Sequence, residues 1–144
     1  EGHADWRFIR QVKDAVSVPV LANGDVVSPR DAVEILNVSG ADGVMVGRGS
    51  FGRPWVVAQM QAAVDGKPVP SDPPNPEKWR TALEQYRASL AHYGETLGRR
   101  VVRKHLGWYA DAADDKSLRG ELVRSENPEP LLERLAEGAF AEAA

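Results

Sequence analysis

The 144-residue chain contains no cysteine, which excludes disulfides, thiolate metal ligands and any sulfur nucleophile from these residues and agrees with a reducing compartment. Redox chemistry would therefore need a cofactor. An excess of positive charge is also missing: 18 Lys and Arg stand against 21 Asp and Glu, for a formal net charge of -3. Affinity for a nucleic acid would have to come from a local concentration of cations. Long apolar runs are absent too. Stretches such as Val18–Ala22 fall far short of the roughly 20 residues that span a bilayer, and the chain does not open on a signal sequence. The expectation is a soluble, cytoplasmic protein. Nor is there an initiating methionine: Glu1 leads almost directly into a helix-like segment, as in a piece of a larger protein. With 42% hydrophobic and 27% charged residues, the composition is that of a folded globular chain, long enough for one domain or two small ones.

What is present begins with periodicity. Trp6, Ile9, Val12 and Val16 recur at intervals of three and four, which predicts an amphipathic helix over residues 5–16. Val18-Pro19-Val20-Leu21-Ala22 shows no polar alternation and reads as a strand buried on both faces. Asn23-Gly24-Asp25 ends it. Ser28-Pro29-Arg30-Asp31 then offers an N-cap serine, a proline at the first helical position and an acid in the first turn, so a helix is expected through about Val38, closed by Ser39-Gly40. Gly43-Val44-Met45-Val46 predicts a second buried strand ending in Gly47-Arg48-Gly49, and Pro54 opens another helix to about Val64. Residues 1–64 thus alternate helix and strand as parallel α/β folds do. Two strands buried on both faces need neighbours, so these residues are not expected to fold by themselves.

Five prolines between Asp65 and Pro76 forbid regular helix and favour a stiff, extended linker over residues 65–76. Beyond it, residues 77–144 carry helical periodicity only. Trp79, Leu83, Tyr86, Leu90 and Tyr93 form one apolar seam, the core side of a helix packed on other helices. Gly94 ends that helix. A second is expected from about Thr96 to Ala113, a third from Lys116 to Arg124, and a fourth from Asn127-Pro128 carrying Leu132, Leu135, Ala136 and Phe140. Together they make a small four-helix bundle.

Ligands of parallel α/β folds sit at the carboxyl ends of the strands, and both strand ends here carry suitable groups. Asn23-Gly24-Asp25 lets backbone N–H groups approach a ligand closely. Gly47-Arg48-Gly49 sets a permanent cation between two more glycines, which suits phosphate oxygens. Residues after Gly49 are expected to begin a short helix that points further N–H groups at the anion. Either tripeptide alone is an ordinary turn; their place at the ends of two successive buried strands makes them a candidate phosphate grip. Asp25 is the odd member, because a carboxylate repels phosphate. It reads as a helix cap, a brace for Arg48 or an acceptor for a ligand hydroxyl.

At these residues the chain resembles a family. Val18-Pro19-Val20-Leu21-Ala22-Asn23-Gly24-Asp25, then Ala41-Asp42-Gly43-Val44-Met45-Val46-Gly47-Arg48-Gly49 and Gly52-Arg53-Pro54-Trp55, look like the end of the barrel in bacterial tRNA-dihydrouridine synthases. Arg103-Lys104-His105 with Trp108-Tyr109 resembles the B-type branch of that family. The resemblance spans nearly the whole chain. It implies an α/β plus all-α fold: the last two β/α units of a TIM (β/α)8 barrel followed by a helical tRNA-binding domain. It implies FMN as cofactor, NADPH as reductant, uridine in tRNA as substrate and a monomeric parent enzyme. Asn23, Gly24 and Asp25 match the family's first FMN segment, and Gly47 and Arg48 its second. No catalytic residue carries over, since the family's general acid is a cysteine on an earlier barrel loop. The chain alone is therefore expected to be inactive. Gly49-Ser50-Phe51 departs from the more alanine-rich stretch usual there.

Between Thr96 and Ala110, Arg99, Arg100, Arg103 and Lys104 occur with no acidic residue. At spacings of four on a helix they form two adjacent rows of cations. Composition alone favours an ordinary solvated face; the resemblance turns the stripe into a candidate contact for RNA phosphates. Trp108 or Tyr109 is a candidate for base stacking, with burial expected for at least one of them. His105 reads as a hydrogen-bonded structural histidine, and His3 and His92 are isolated. No spacing fits a metal site or a Ser/His/Asp triad. Glu84, Glu95 and the carboxylates of the last helix read as solvated, and Trp79, Tyr86 and Tyr93 as core. Two other readings remain open: a standalone RNA-binding adaptor with a non-catalytic barrel remnant, and a different FMN barrel acting on a small molecule.

Overall fold

The computed structural model describes residues 2–138. Two compact units make up the chain, one of residues 1–50 and 54–72, the other of residues 51–53 and 73–144.

The first unit runs α1 (Trp6–Ala15), β1 (Leu21–Asn23), α2 (Pro29–Ser39), β2 (Gly43–Met45), a 3-10 turn (Arg48–Ser50) and α3 (Val56–Val64). Asp5 caps α1, accepting from the N–H groups of Arg7 and Phe8 at 3.0 and 3.1 Å, which satisfies two of the amides a helix start leaves unpaired. Ser28 caps α2 through Asp31 N–H at 3.2 Å, with Pro29 in the first turn. At the other end Gly40 takes the left-handed conformation, φ 65°, that closes helices most readily. Arg10 also donates to the carbonyls of Val38 and Asn37 at 2.8 and 2.9 Å, a cation placed on the negative end of α2.

The two strands pair in parallel, with Leu21 opposite Gly43, Ala22 opposite Val44 and Asn23 opposite Met45. Asp42 reinforces the ladder by accepting from Lys13 Nζ and Val20 N–H, both at 2.7 Å. Those hydrogen bonds, the Lys13 one first, hold its carboxyl below the usual aspartate range. The core gathers Ala22, Val26, Ala32, Ile35, Val56 and Met60, edged by Trp6, Ile9, Ala41, Val44 and Val46. Full burial of a side chain such as Ile35 contributes about 1.5–3 kcal/mol.

The strands, suited to burial on both faces, are covered on one face only in this chain: Leu21 is 66% exposed and Met45 51%, with Val18 just before β1 at 61%. Helices cover one face of the two-stranded sheet, and among the described residues nothing covers the other. The same applies to the α1 stripe, whose outer members Val12 and Val16 are exposed.

In the second unit α4 (Asn75–Tyr93), α5 (Glu95–Ala112), α6 (Lys116–Arg124) and α7 (Glu129–Ala136) pack α4 on α5, α4 on α7 and α5 on α6. The first of these helices starts at Asn75, inside the proline-rich stretch. Pro76 lies in its first turn, where no N–H is required of it. The extended segment before it is held in part by Gln59 Nε2, which donates to the Pro70 carbonyl and Asp72 Oδ1, both at 3.0 Å. Trp79, Ala82, Leu83, Tyr86, Val102, Leu106, Tyr109, Leu122, Leu132 and Leu135 fill the bundle core. Gly94, φ 76°, turns the chain between α4 and α5. Gly98 then lets α5 lie close on α4, since a Cβ there would stand 2.6 Å from the Ser89 carbonyl oxygen.

Tyr93 departs from the expected seam. It is 47% exposed, its ring edge-on with His92, because it sits in the last turn of α4 before the reversal. The carboxylates of α7 are not simply solvated: Arg87 of α4 donates to Glu129 at 2.6 Å and to Glu133. Phe140 lies outside the described residues.

Candidate functional site

The carboxyl ends of β1 and β2 lie side by side because the strands are parallel neighbours. After Asn23 the chain takes two successive positive φ values, 120° at Gly24 and 56° at Asp25. The first is open only to glycine, and the second is one aspartate tolerates better than most residues. After β2, Gly47 leads into the 3-10 turn, where Ser50 donates both its N–H and its hydroxyl to the Gly47 carbonyl, at 3.0 and 2.9 Å. Between these loops is a cleft of about 610 Å³ lined by Asn23, Gly24, Asp25, Val26, Val27, Gly47, Arg48 and Gly49. All five residues singled out from the sequence as a phosphate grip line it.

Two glycines have different duties in the second loop. A Cβ at Gly49 would stand 2.2 Å from the Val26 carbonyl oxygen, so glycine is what lets the second loop touch the first. A Cβ at Gly47 would meet nothing within 4 Å, leaving that backbone accessible from the open side. The Arg48 side chain is 86% exposed, its Nη2 4.0 Å from Asp25 Oδ1. The other oxygen, Asp25 Oδ2, accepts Ala4 N–H at 2.8 Å and lies 3.8 Å from His3 Nδ1. Gly24 is braced in turn, its carbonyl accepting the Trp6 indole N–H at 2.8 Å. Asp25 therefore caps no helix; it ties the loop to the segment before α1.

The brace from Ala4 and Trp6 escaped the sequence reading, which assigned Trp6 to packing alone. Its polar indole edge at a helix start is the signal that could have found it. The short helix expected after Gly49 is a three-residue 3-10 turn beginning at Arg48. It is too short to carry a helix-terminus anion site, so glycine backbone and guanidinium remain as the candidate groups for an anion.

In the bundle, the four cations of α5 separate. Arg99 donates to the Glu126 carbonyl at 2.9 Å and to Glu95 Oε2 at 3.2 Å, tying α5 to the segment before α7. Glu95 is thus paired although exposed. Arg100, Arg103 and Lys104 are exposed. Tyr109 is buried, its hydroxyl 3.0 Å from Gln85 Oε1; burial and, secondarily, the Glu84 charge push the phenol up to about 12. Trp108 is half-buried, stacked on Phe51 at 3.9 Å with a 12° tilt, so that face is closed to a base. Lys104 Nζ lies 5.8 Å from its ring centre and His105 meets it edge-on. Burial, then the Lys104 charge, holds the His105 imidazole below 6.5, in keeping with a packed, neutral side chain. Among the described residues no group of three His, Cys, Asp or Glu side chains is placed to hold a metal ion, and no helix is long and apolar enough to cross a membrane.

A protein of Rhodobacter capsulatus described as a probable tRNA-dihydrouridine synthase is 50% identical over 141 residues, 98% of this chain and 43% of the relative. Probable tRNA-dihydrouridine synthases of Rickettsia conorii and Mycobacterium leprae are 41% identical over 137 residues and 43% over 109, covering 94% and 75% of this chain and 41% and 28% of the relatives. The chain thus spans less than half the length of these curated relatives. The dihydrouridine synthase family matches over residues 1–144, and the chain belongs to that family.

Proposed function

We propose that the whole protein is an FMN-dependent oxidoreductase that reduces uridine to 5,6-dihydrouridine in tRNA, with NADPH as reductant, and that this chain provides its FMN phosphate grip and a tRNA-binding helical domain. The observation that carries the proposal is the convergence of Asn23, Gly24, Asp25, Gly47 and Arg48 on one cleft at the ends of two parallel strands. The donor set fits a phosphomonoester: an open glycine backbone at Gly47, an exposed guanidinium at Arg48 and the Asn23 amide. FMN, when bound, supplies the hydride chemistry for the uracil double bond. These residues anchor and orient it; the proton donor, a cysteine in the resemblance, is not among them.

The uncovered face of β1 and β2, with Leu21 and Met45, fits a place among further strands, as the last two β/α units of a TIM barrel require. On the bundle, Arg100, Arg103 and Lys104 form the RNA-facing stripe, and Arg99 supports it from within. Deleting the gene and digesting total tRNA for mass spectrometry tests the proposal. Loss of dihydrouridine from a defined tRNA position is expected; tRNA with unaltered dihydrouridine would refute it.

A further inference from the structure

A carboxylate in a phosphate site is chemically out of place unless its charge is directed elsewhere, because two anions in one cleft repel. Asp25 lines the same cleft as Gly47 and Arg48, yet its two oxygens are divided between protein partners. Oδ2 is occupied by Ala4 N–H at 2.8 Å. Oδ1 faces the Arg48 guanidinium at 4.0 Å. The residue is also held from the backbone side: the loop reverses through the positive φ of Gly24 and Asp25, the Gly24 carbonyl is fixed by the Trp6 indole N–H, and a Cβ at Gly24 would stand 2.4 Å from the Ala4 Cβ. The carboxylate is thus tied at one oxygen and presents the other to a guanidinium that has no second acidic partner among the described ion pairs.

We propose that Asp25 is the positioning residue of the phosphate site, acting through Arg48: tethered to Ala4, it holds the guanidinium at the cleft and offsets part of its charge without touching the phosphate. The inference rests on the reading of the cleft as an FMN phosphate grip. The Asp25–Arg48 pair is open to solvent, so it is weak as a stabilising ion pair. Its effect is on where a long, mobile side chain spends its time. A guanidinium that must first be localised binds an oxyanion less well than one already held at the site.

Asp25→Asn is the informative variant. Asparagine tolerates the left-handed backbone and keeps an acceptor for Ala4 N–H, while an uncharged amide NH2 replaces the carboxylate oxygen facing Arg48; the charge 3.8 Å from His3 Nδ1 is lost with it, and the Arg48→Ala background separates that loss from the route through Arg48. The test measures dissociation constants of FMN and of riboflavin, which lacks the phosphate, by flavin fluorescence on the whole protein carrying this chain. Wild type, Asp25→Asn, Arg48→Ala and the double variant are compared. The expected result is about a twofold to fivefold weaker FMN affinity in Asp25→Asn, corresponding to roughly 0.4–1 kcal/mol, with riboflavin affinity unchanged. In the Arg48→Ala background Asp25→Asn should have no further effect, since its route is gone. Equal losses for FMN and riboflavin, or additive losses in the double variant, would overturn the positioning role. Tighter FMN binding in Asp25→Asn would also overturn it, showing plain repulsion. Wild-type protein that binds FMN no better than riboflavin would remove the phosphate grip itself, and the inference with it.

Discussion

Arg99, Arg100, Arg103 and Lys104 lie within two turns of α5, yet a single position separates a structural cation from solvent-exposed ones. Arg99 holds the Glu126 carbonyl and Glu95, so Arg99→Ala should lower bundle stability by about 1 kcal/mol, read as a lower melting temperature. Arg100→Ala and Arg103→Ala should leave the melt unchanged, and Lys104→Ala should cost at most about 0.5–1 kcal/mol through its contact with the Trp108 ring. Each should instead reduce the salt dependence of tRNA affinity by about one unit in the log–log slope if its side chain neutralises a phosphate. Such a division was beyond the sequence: the stripe follows from spacing, but the acceptor that claims Arg99 is a backbone carbonyl 27 residues away. His105 makes a pH prediction of definite sign. Its imidazole is held below 6.5 by burial and by Lys104, so the unfolded chain takes up a proton more readily than the folded one. That contribution to stability is complete above pH 6.5 and is lost as pH falls from there towards the folded value. Melts at pH 7.5 and 5.5 should show a decline in wild type that is smaller in His105→Gln; an equal decline would contradict the assignment.

At the scale of elements, helix limits were the most readable feature, because they are set by local chemistry. Ser28-Pro29 opens α2 and Gly40 closes it, Gly94 separates α4 from α5, and α6 runs from Lys116 to Arg124. Pro76 misled because a proline that breaks a helix interior is welcome in its first turn. Strand burial has a different limit: an apolar run records what a strand is suited to face, whereas exposure depends on which neighbours are present. The two strand-end loops show both limits together. Their five polar and glycine residues were legible as a pair of strand ends, but the separate duties of Gly47 and Gly49 appear only once the loops meet. Gly49→Ala should disrupt the contact with Val26 and cost about 1–3 kcal/mol through overpacking. Gly47→Ala should leave stability nearly unchanged, since its Cβ meets nothing within 4 Å, while weakening FMN through the lost backbone approach. Equilibrium unfolding and flavin titration of the two variants should therefore give opposite patterns.

Across the whole molecule, exposed large apolar side chains are unevenly shared. Among the described residues, Phe8, Val12, Val16, Val18, Leu21, Val27, Met45, Val57, Val64 and Val69 belong to the first unit, and Phe51, Tyr93 and Leu97 to the second. Apolar surface left in water contributes nothing to folding, so in this 144-residue chain the first unit should melt at the lower temperature. Single-tryptophan variants keeping Trp6 or Trp79 separate the two transitions, and one coincident melt would contradict the expectation. The uncovered strand face is also what a barrel would hide, which links the stability of the first unit to the function assigned to it. The most direct measurement is dihydrouridine in the tRNA of a deletion strain complemented with the whole gene, either wild type or carrying both Gly47→Ala and Arg48→Ala. The account predicts that the wild-type gene restores the modification and that the double variant, expressed at the same level, does not. Full restoration by the double variant would show that uridine reduction does not depend on this cleft.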